Sequence, residues 1–193
     1  GYEGAIVLRP YPGIYLDDPV AVLDYASLYP SSMIMGNLSH ETICIDDEWL
    51  GDEGAERLKS LGLSHYDVTY DTFETIRTPA GSVKEKRKIG EKTVRYVQYS
   101  NDKKGIMPTT LQKLLKARKD TRKRIKYKRV TLHSGEEHVG LLSDKGDNYE
   151  IITEKDGKIS VTKDLVNNIV DRYSEFEKSV LDGKQLGFKI TAN

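Results

Sequence analysis

The sequence predicts an α+β fold: a small sheet-based platform over residues 1–105, then a mostly helical arm over 106–193 that carries a β insertion. Three observations lead there. Short β-branched or alternating runs, such as "VAVLD", "HYDVTYDTFETI" and "TVRYVQY", dominate the first half, separated by Gly, Pro and Asp turns. From Pro108 the pattern changes to leucines at helical spacing among lysines and arginines. Two runs after it, "VTLHSGEEHVGLL" and "NYEIITEKDGKISV", read as two hairpins, the second with an Asp156-Gly157 turn.

Each element follows from its local chemistry. Residues 4–16 read as a short strand and a Pro/Gly turn. The apolar run Val20–Leu23 reads as a buried strand with Asp24 near its end. A turn at Ser27 then opens a helix to about Gly36, with Pro30 tolerated in its first turn. "DEGAERLKSLG" is a short helix, and "GSVKEKRKIGEK" a solvated turn between two exposed strands. A long helix is expected over about 108–129, with Leu111, Leu114, Leu115 and Ile125 on one face. Arg118 and Arg122 interrupt that stripe, either as snorkelling side chains or because the face looks onto an anion. The insertion covers about 130–161. A second helix is expected over about 164–181, on the stripe Leu165, Ile169, Tyr173, Phe176 and Val180. Gly183 then breaks it, and a third helical stretch, 185–193, carries Gln185, Lys189 and Asn193 on one side.

Composition narrows the partners. The chain has 193 residues, enough for one domain with a real core, and its 30 basic and 30 acidic residues cancel. The distribution does not cancel: between Lys103 and Arg129 there are 12 basic residues and one acidic residue. Such a segment either grips phosphate locally or is a solvated lysine-rich helix. The single cysteine, Cys44, rules out an internal disulfide and points to a reducing, intracellular compartment. The four histidines have no zinc spacing, no Walker loop occurs, and no apolar stretch has membrane-spanning length.

A carboxylate at the end of a dry strand needs a partner, which can be a structural arginine or a divalent cation. Mg²⁺ takes one or two carboxylates and lets substrate phosphates complete its shell. The turn after Asp24 has free backbone N–H groups and the Ser27 hydroxyl to offer those phosphates. Arg118, Arg122 and Lys189 are cations able to neutralise a triphosphate.

These residues carry a resemblance. "DYASLYPSSM" resembles the first catalytic motif of family B DNA polymerases, "GIMPTTLQKLLKARKDTRKRIK" their first fingers helix, and "VLDGKQLGFKITAN" the start of their second motif. The three occur in the family's order, and the insertion is most similar to that of polymerases from large alga-infecting DNA viruses. The resemblance implies a partial palm, with an antiparallel or mixed sheet and helices, and a helical fingers arm carrying a small β-hairpin insertion. It implies DNA-directed DNA polymerase activity by two-metal nucleotidyl transfer from a dNTP to a primer 3′-hydroxyl, with two Mg²⁺ ions in the complete enzyme. Primer–template DNA and dNTPs are then the partners, with a sliding clamp for the full-length protein, and the host nucleus or a cytoplasmic viral replication site the location.

Residue by residue, Asp24 matches the catalytic metal-binding aspartate, with the carbonyl of Tyr25 completing the coordination. Ser27 and the backbone amides of Leu28 and Tyr29 match the cradle for the outer phosphates, and the Tyr29 ring matches the steric gate against a 2′-hydroxyl. Arg118, Lys189 and Asn193 match the nucleotide-holding residues of the fingers. Arg122 stands where lysine is more usual, and Ser32 and Met33 replace isoleucines.

The later D-T-D motif with the second catalytic aspartate does not occur, and Asp17-Asp18 and Asp46-Asp47 fit turns instead. A start on Gly1 and a stop at "GFKITAN" read as a fragment, expected to be inactive and to bind Mg²⁺ weakly by itself. Two alternatives remain open at this level: a non-catalytic polymerase-like nucleic-acid-binding module, and a reverse transcriptase or RNA polymerase palm, against which Tyr29 argues.

Overall fold

The computed structural model describes residues 7–17, 19–77, 84–155 and 157–193. Among them four helices and two antiparallel sheets form an α+β fold. The first helix, α1 (Leu28–Met35), ends at Gly36 and is followed by Asn37 with a left-handed backbone, φ 52°. Asn37 is fully buried and works as a three-way tie. Its Nδ2 donates to the Val97 carbonyl, its Oδ1 accepts from the Gly105 amide, and its carbonyl accepts from Thr42 Oγ1. Short polar side chains tolerate this backbone region, and the bonds leave no buried polar atom orphaned.

The platform is a three-stranded sheet in the order β1-β3-β2, from β1 (Ile43–Cys44), β2 (Ser64–Arg77) and β3 (Lys84–Gln98). β2 and β3 form a long two-stranded ribbon whose register shifts between Thr72 and Phe73, leaving Ile89 as an extra residue on β3. The expected solvated turn over 81–92 is corrected by this pairing. From Lys84 onward the residues belong to β3, because alternating charges are as compatible with an exposed ribbon as with a turn; residues 81–83 lie outside the described residues.

The short helix α2 (Gly51–Ser60) is tied to the ribbon by Arg95, which is only 4% exposed. Its guanidinium meets Asp67 in two bonds of 2.7 Å and donates to the carbonyls of Trp49 and Gly51. That fork holds the Asp67 carboxyl below its usual range.

The arm starts with α3 (Ile106–Ile125), capped from outside by the loop after α1. Glu41 accepts from the Ile106 amide, and Ser39 Oγ accepts from the Met107 amide at 3.2 Å while donating to Glu41 at 2.6 Å. A carboxylate at a helix N-terminus answers both the free amides and the dipole. The hydrogen bond from Ser39, then that from the Ile106 amide, hold the Glu41 carboxyl below its ordinary value. A depressed carboxyl contributes stability above the ordinary glutamate pKa, lost as pH falls through the folded one. Acid unfolding followed by circular dichroism should therefore begin at higher pH in Glu41→Gln than in wild type, with the two curves converging at the acid end.

α3 stops at Ile125, not at Arg129 as expected, because Lys128 and Arg129 already belong to β4 (Lys128–Leu132). Lysine and arginine favour a helix by propensity, so the boundary is set by pairing with β5 and β8 against that preference. The insertion is larger than two hairpins. β4, β5 (Glu137–Lys145), β6 (Asn148–Ile152), β7 (Lys158–Thr162) and β8 (Val166–Asp171) form one antiparallel sheet in the order β7-β6-β5-β4-β8. β5 is shared: Glu137–Gly140 pair with β4, and Leu141–Lys145 pair with β6. Gly140 marks the handover. A Cβ there would lie 2.3 Å from the Ile152 carbonyl oxygen, so only glycine lets the strands pass this closely. The core is Val130, Leu132, Ile151 and Val161, packed against Leu142, Ile159, Val166 and Ile169; each such burial stabilises by roughly 1.5–3 kcal/mol. Of the expected Asp156-Gly157 turn, Asp156 lies outside the described residues; Gly157 O accepts from the Thr153 amide at 2.8 Å.

Two further expectations are corrected. The helix expected over 164–181 is strand β8 up to Asp171, followed by α4 (Glu175–Ala192). Ile169 and Val170 pair with β4, and the helix starts where Ser174 and Glu177 form a capping box. Gly183 does not break the helix; a Cβ there meets nothing within 4 Å, and α4 runs through it to Ala192. Because β4 and β8 are neighbours, the end of α3 and the start of α4 are brought together, and the two helices pack along each other.

The buried strand expected over 20–23 does not form. Residues 7–26 contain no helix or strand among those described, and Val22 and Leu23 are 87% and 94% exposed. The strand expected over 4–16 is likewise absent from 7–16, while residues 4–6 lie outside the described residues. Apolar alternation makes a strand only where a sheet edge accepts it, and no described strand pairs here.

Candidate functional site

Ser27 stands at the entrance of α1 with a left-handed backbone, φ 52° and ψ 62°, uncommon for a residue with a side chain. The conformation is held by two bonds across the turn. The Ser31 amide donates to Ser27 O at 2.9 Å, and Ser31 Oγ donates to Ala26 O at 2.7 Å. Ser27 makes no capping bond with its own side chain. Pro30 has no N–H, so the Leu28 and Tyr29 amides are the two donors left open at this helix start. They carry the positive end of the helix dipole. The Tyr29 ring is exposed beside them.

α1 packs on α3. This contact brings Ser27 and Ser31 into one depression of about 560 Å³ with Leu115, Arg118 and Arg122 of α3. Lys119, Lys123 and Lys126 complete its α3 side, Leu141 of β5 stands on the insertion side, and no carboxylate is in its lining among the described residues. Arg118 is also held from α4, its Nε donating to Gln185 Oε1 at 3.3 Å. The two arginines interrupting the apolar stripe of α3 thus face a shared basic hollow, and the packed part of that face is carried by Leu111, which is buried.

The remaining expected site residues are not gathered there. Asp24 and Tyr25 are exposed on the irregular segment before α1, and Asp24 has no hydrogen bond or ion pair among the described residues. Lys189 and Asn193 are exposed on the last turns of α4, where the Asn193 side chain and amide both donate to the Lys189 carbonyl. Neither Asp24 nor Lys189 lines the depression. Among the described residues no three His, Cys, Asp or Glu side chains converge on a metal position. The donor set is one carboxylate beside a peptide carbonyl and two open amides. That suits a hard cation arriving with phosphate oxygens of its own, such as Mg²⁺, and does not suit a resident metal held by protein alone.

Residues that the sequence reading missed are Lys119 and Lys126, which share the hollow with the two arginines, and Leu141 opposite them. The i, i+3, i+7 spacing of Lys119, Arg122 and Lys126 was legible, but Leu141 needed the course of β5.

A starting turn with open amides, facing cations from a long helix, is chemically suited to receive phosphate groups. Residues 1–134 match DNA polymerase family B, and the chain belongs to that family. Over all 193 residues it is 45% identical to the DNA polymerase of Pyramimonas orientalis virus, of which it spans 15%. It is 43% identical over 136 residues to the DNA polymerase of Phaeocystis pouchetii virus, covering 64% of this chain and 13% of that protein. With the DNA polymerase delta catalytic subunit of Candida albicans it shares 36% over 125 residues, 65% of this chain and 9% of that one. No solved structure matches. The chain therefore spans a small part of the relatives it matches, and the likeness to polymerases of large algal viruses read from the insertion holds. No described helix is long and apolar enough to cross a membrane.

Proposed function

We propose that this chain is the dNTP-holding part of a longer replicative DNA-directed DNA polymerase, with residues 1–105 in its palm and 106–193 forming its fingers. The observation that carries the reading is the shared depression, in which the start of α1 and the cations of α3 meet although they come from opposite halves of the chain. Ser27 Oγ and the Leu28 and Tyr29 amides donate to the outer phosphates; Arg118 and Arg122 neutralise them from the other side. Lys189 and Asn193 of α4 reach the same triphosphate when the arm closes, a movement of a kind common in enzymes that enclose their substrates. Asp24, with the Tyr25 carbonyl, holds the metal that comes with the nucleotide. Bound Mg²⁺ supplies charge neutralisation and activation of the primer oxygen. The chain alone has one such carboxylate and is inactive in primer extension.

The Tyr29 ring lies under the deoxyribose and excludes a 2′-hydroxyl. In the full-length polymerase, Tyr29→Ala should admit ribonucleotides with deoxynucleotide use largely kept, since the residue is 62% exposed and lies outside the buried core. Steady-state incorporation of each sugar class measures this; unchanged sugar selectivity removes the gate.

The rival reading, a non-catalytic nucleic-acid-binding module, leaves the open turn at Ser27 and the unpaired Asp24 without a purpose.

A further inference from the structure

The depression holds more positive charge than a triphosphate position explains. Lys119 and Arg122 of α3 and Lys126 at its C-cap are all exposed and, on helical spacing, fall on one side within about 60° of each other. Their axial steps of about 4.5 and 6 Å make a row about 10 Å long. None of the three side chains has an ion pair or hydrogen bond among the described residues. Several cations nearby are engaged: Arg124 with Glu154 at 3.5 Å, Arg129 with Glu137 at 3.7 Å, and Lys178 with both Asp171 and Glu175; Lys116, one turn earlier on α3, is not. The row is thus a set of uncommitted charges lining one hollow, and Leu141 of the inserted module lines the same hollow.

A compact anion needs cations converging on a point, whereas a regular row faces a linear polyanion. Among the described residues no aromatic ring lines the hollow, so these residues offer bases no stacking platform and hold a backbone only. The other flank of α3 is mixed in charge: Asp120 and Glu154 stand there among Lys116, Lys123, Arg124 and Lys184, so the second strand of a duplex would meet carboxylates that the hollow's own lining does not show.

We infer that Lys119 and Lys126, on either side of Arg122, form with the insertion's Leu141 wall a track for the phosphate backbone of single-stranded DNA, continuing past the place of the incoming nucleotide. The choice of DNA among linear polyanions rests on the polymerase reading; the track itself rests on the row. The insertion therefore contributes a wall to a nucleic-acid path in addition to joining two helices.

The test is fluorescence anisotropy of a labelled oligothymidylate with the 193-residue chain across a salt series. Lys119→Gln with Lys126→Gln should weaken binding about tenfold or more and make the log–log salt slope shallower by about 1.4, roughly 0.7 per lost phosphate contact. Lys158→Gln with Lys178→Gln, which removes the same charge from paired positions, should change neither. Leu141→Lys should tighten binding and Leu141→Glu should weaken it, a reversal of sign that damage to the fold cannot imitate. The inference is overturned if wild type does not bind the oligonucleotide, if the double glutamine variant matches wild type, if both Leu141 variants move the same way, or if a duplex binds more tightly than the single strand. Binding of dNTP to wild type, followed in parallel, separates the two readings: oligonucleotide binding without any nucleotide binding sinks the nucleotide site and leaves the track.

Discussion

Asp24→Asn in the full-length polymerase should leave the protein folded and slow nucleotide transfer by at least about a thousandfold, a barrier increase of roughly 4 kcal/mol. The structure makes the two halves of that statement separable. Asp24 is exposed, lies outside every helix and strand, and has no partner among the described residues, so its charge contributes nothing to local packing. An amide of the same shape should not change the melting temperature. The charge has a use only when a cation and a triphosphate arrive, and a neutral oxygen holds that cation far less well. Single-turnover primer extension beside thermal melting measures both. Extension within tenfold of wild type would remove Asp24 from the chemistry, and a lowered melting temperature would show that it has a structural partner.

Arg118→Ala should lower kcat/KM for dNTPs about 100- to 1000-fold, the range typical of removing one preorganised donor from a developing charge. Arg118 is already positioned before any ligand arrives: its Nε is held by Gln185, and it lines the hollow opposite Ser27. A planar fork pre-set in this way loses little freedom on meeting a phosphate, so lysine should recover only part of the loss. Part of any alanine effect could come from the broken α3–α4 bond. Gln185→Ala isolates that part, which should be about 1 kcal/mol or less of stability and severalfold in rate. Equal losses in Arg118→Ala and Gln185→Ala would mean that the arginine serves helix packing and not the nucleotide.

Much of the platform and arm was legible because local signals and tertiary context agree. Gly36 closes α1, glycines flank α2, and the alternation in "HYDVTYDTFETI" survives as β2. Where they disagree, context decides. Leu165, Ile169 and Tyr173 have helical spacing, yet Val166, Ile169 and Val170 are β-branched, and β4 offers them an edge that burial of Val130 and Leu132 makes stable. The capping box at Ser174 and Glu177 was readable as the true helix start. Gly183 costs α4 about 1 kcal/mol relative to alanine, which packing along α3 offsets. The opposite failure occurs at Val20–Leu23, whose strand pattern finds no edge among the described residues.

The site was legible in kind more than in place. The motif around Asp24 and the arginine pair on α3 pointed to phosphate chemistry from sequence alone, but their meeting depends on Asn37, Ser39 and Glu41. These polar residues lock the exit of α1 to the start of α3 through Gly105, Ile106 and Met107. Nothing periodic announces such a junction; only the turn-forming run "GNLSHET" hints at it.

The most direct measurement of the central claim is a nitrogen–proton correlation spectrum of this chain titrated with dNTP and Mg²⁺. The account predicts that the Leu28 and Tyr29 amides and the Arg118 Nε–H shift together, on one binding curve. Shifts confined to α3 with both α1 amides unmoved at saturation would contradict it.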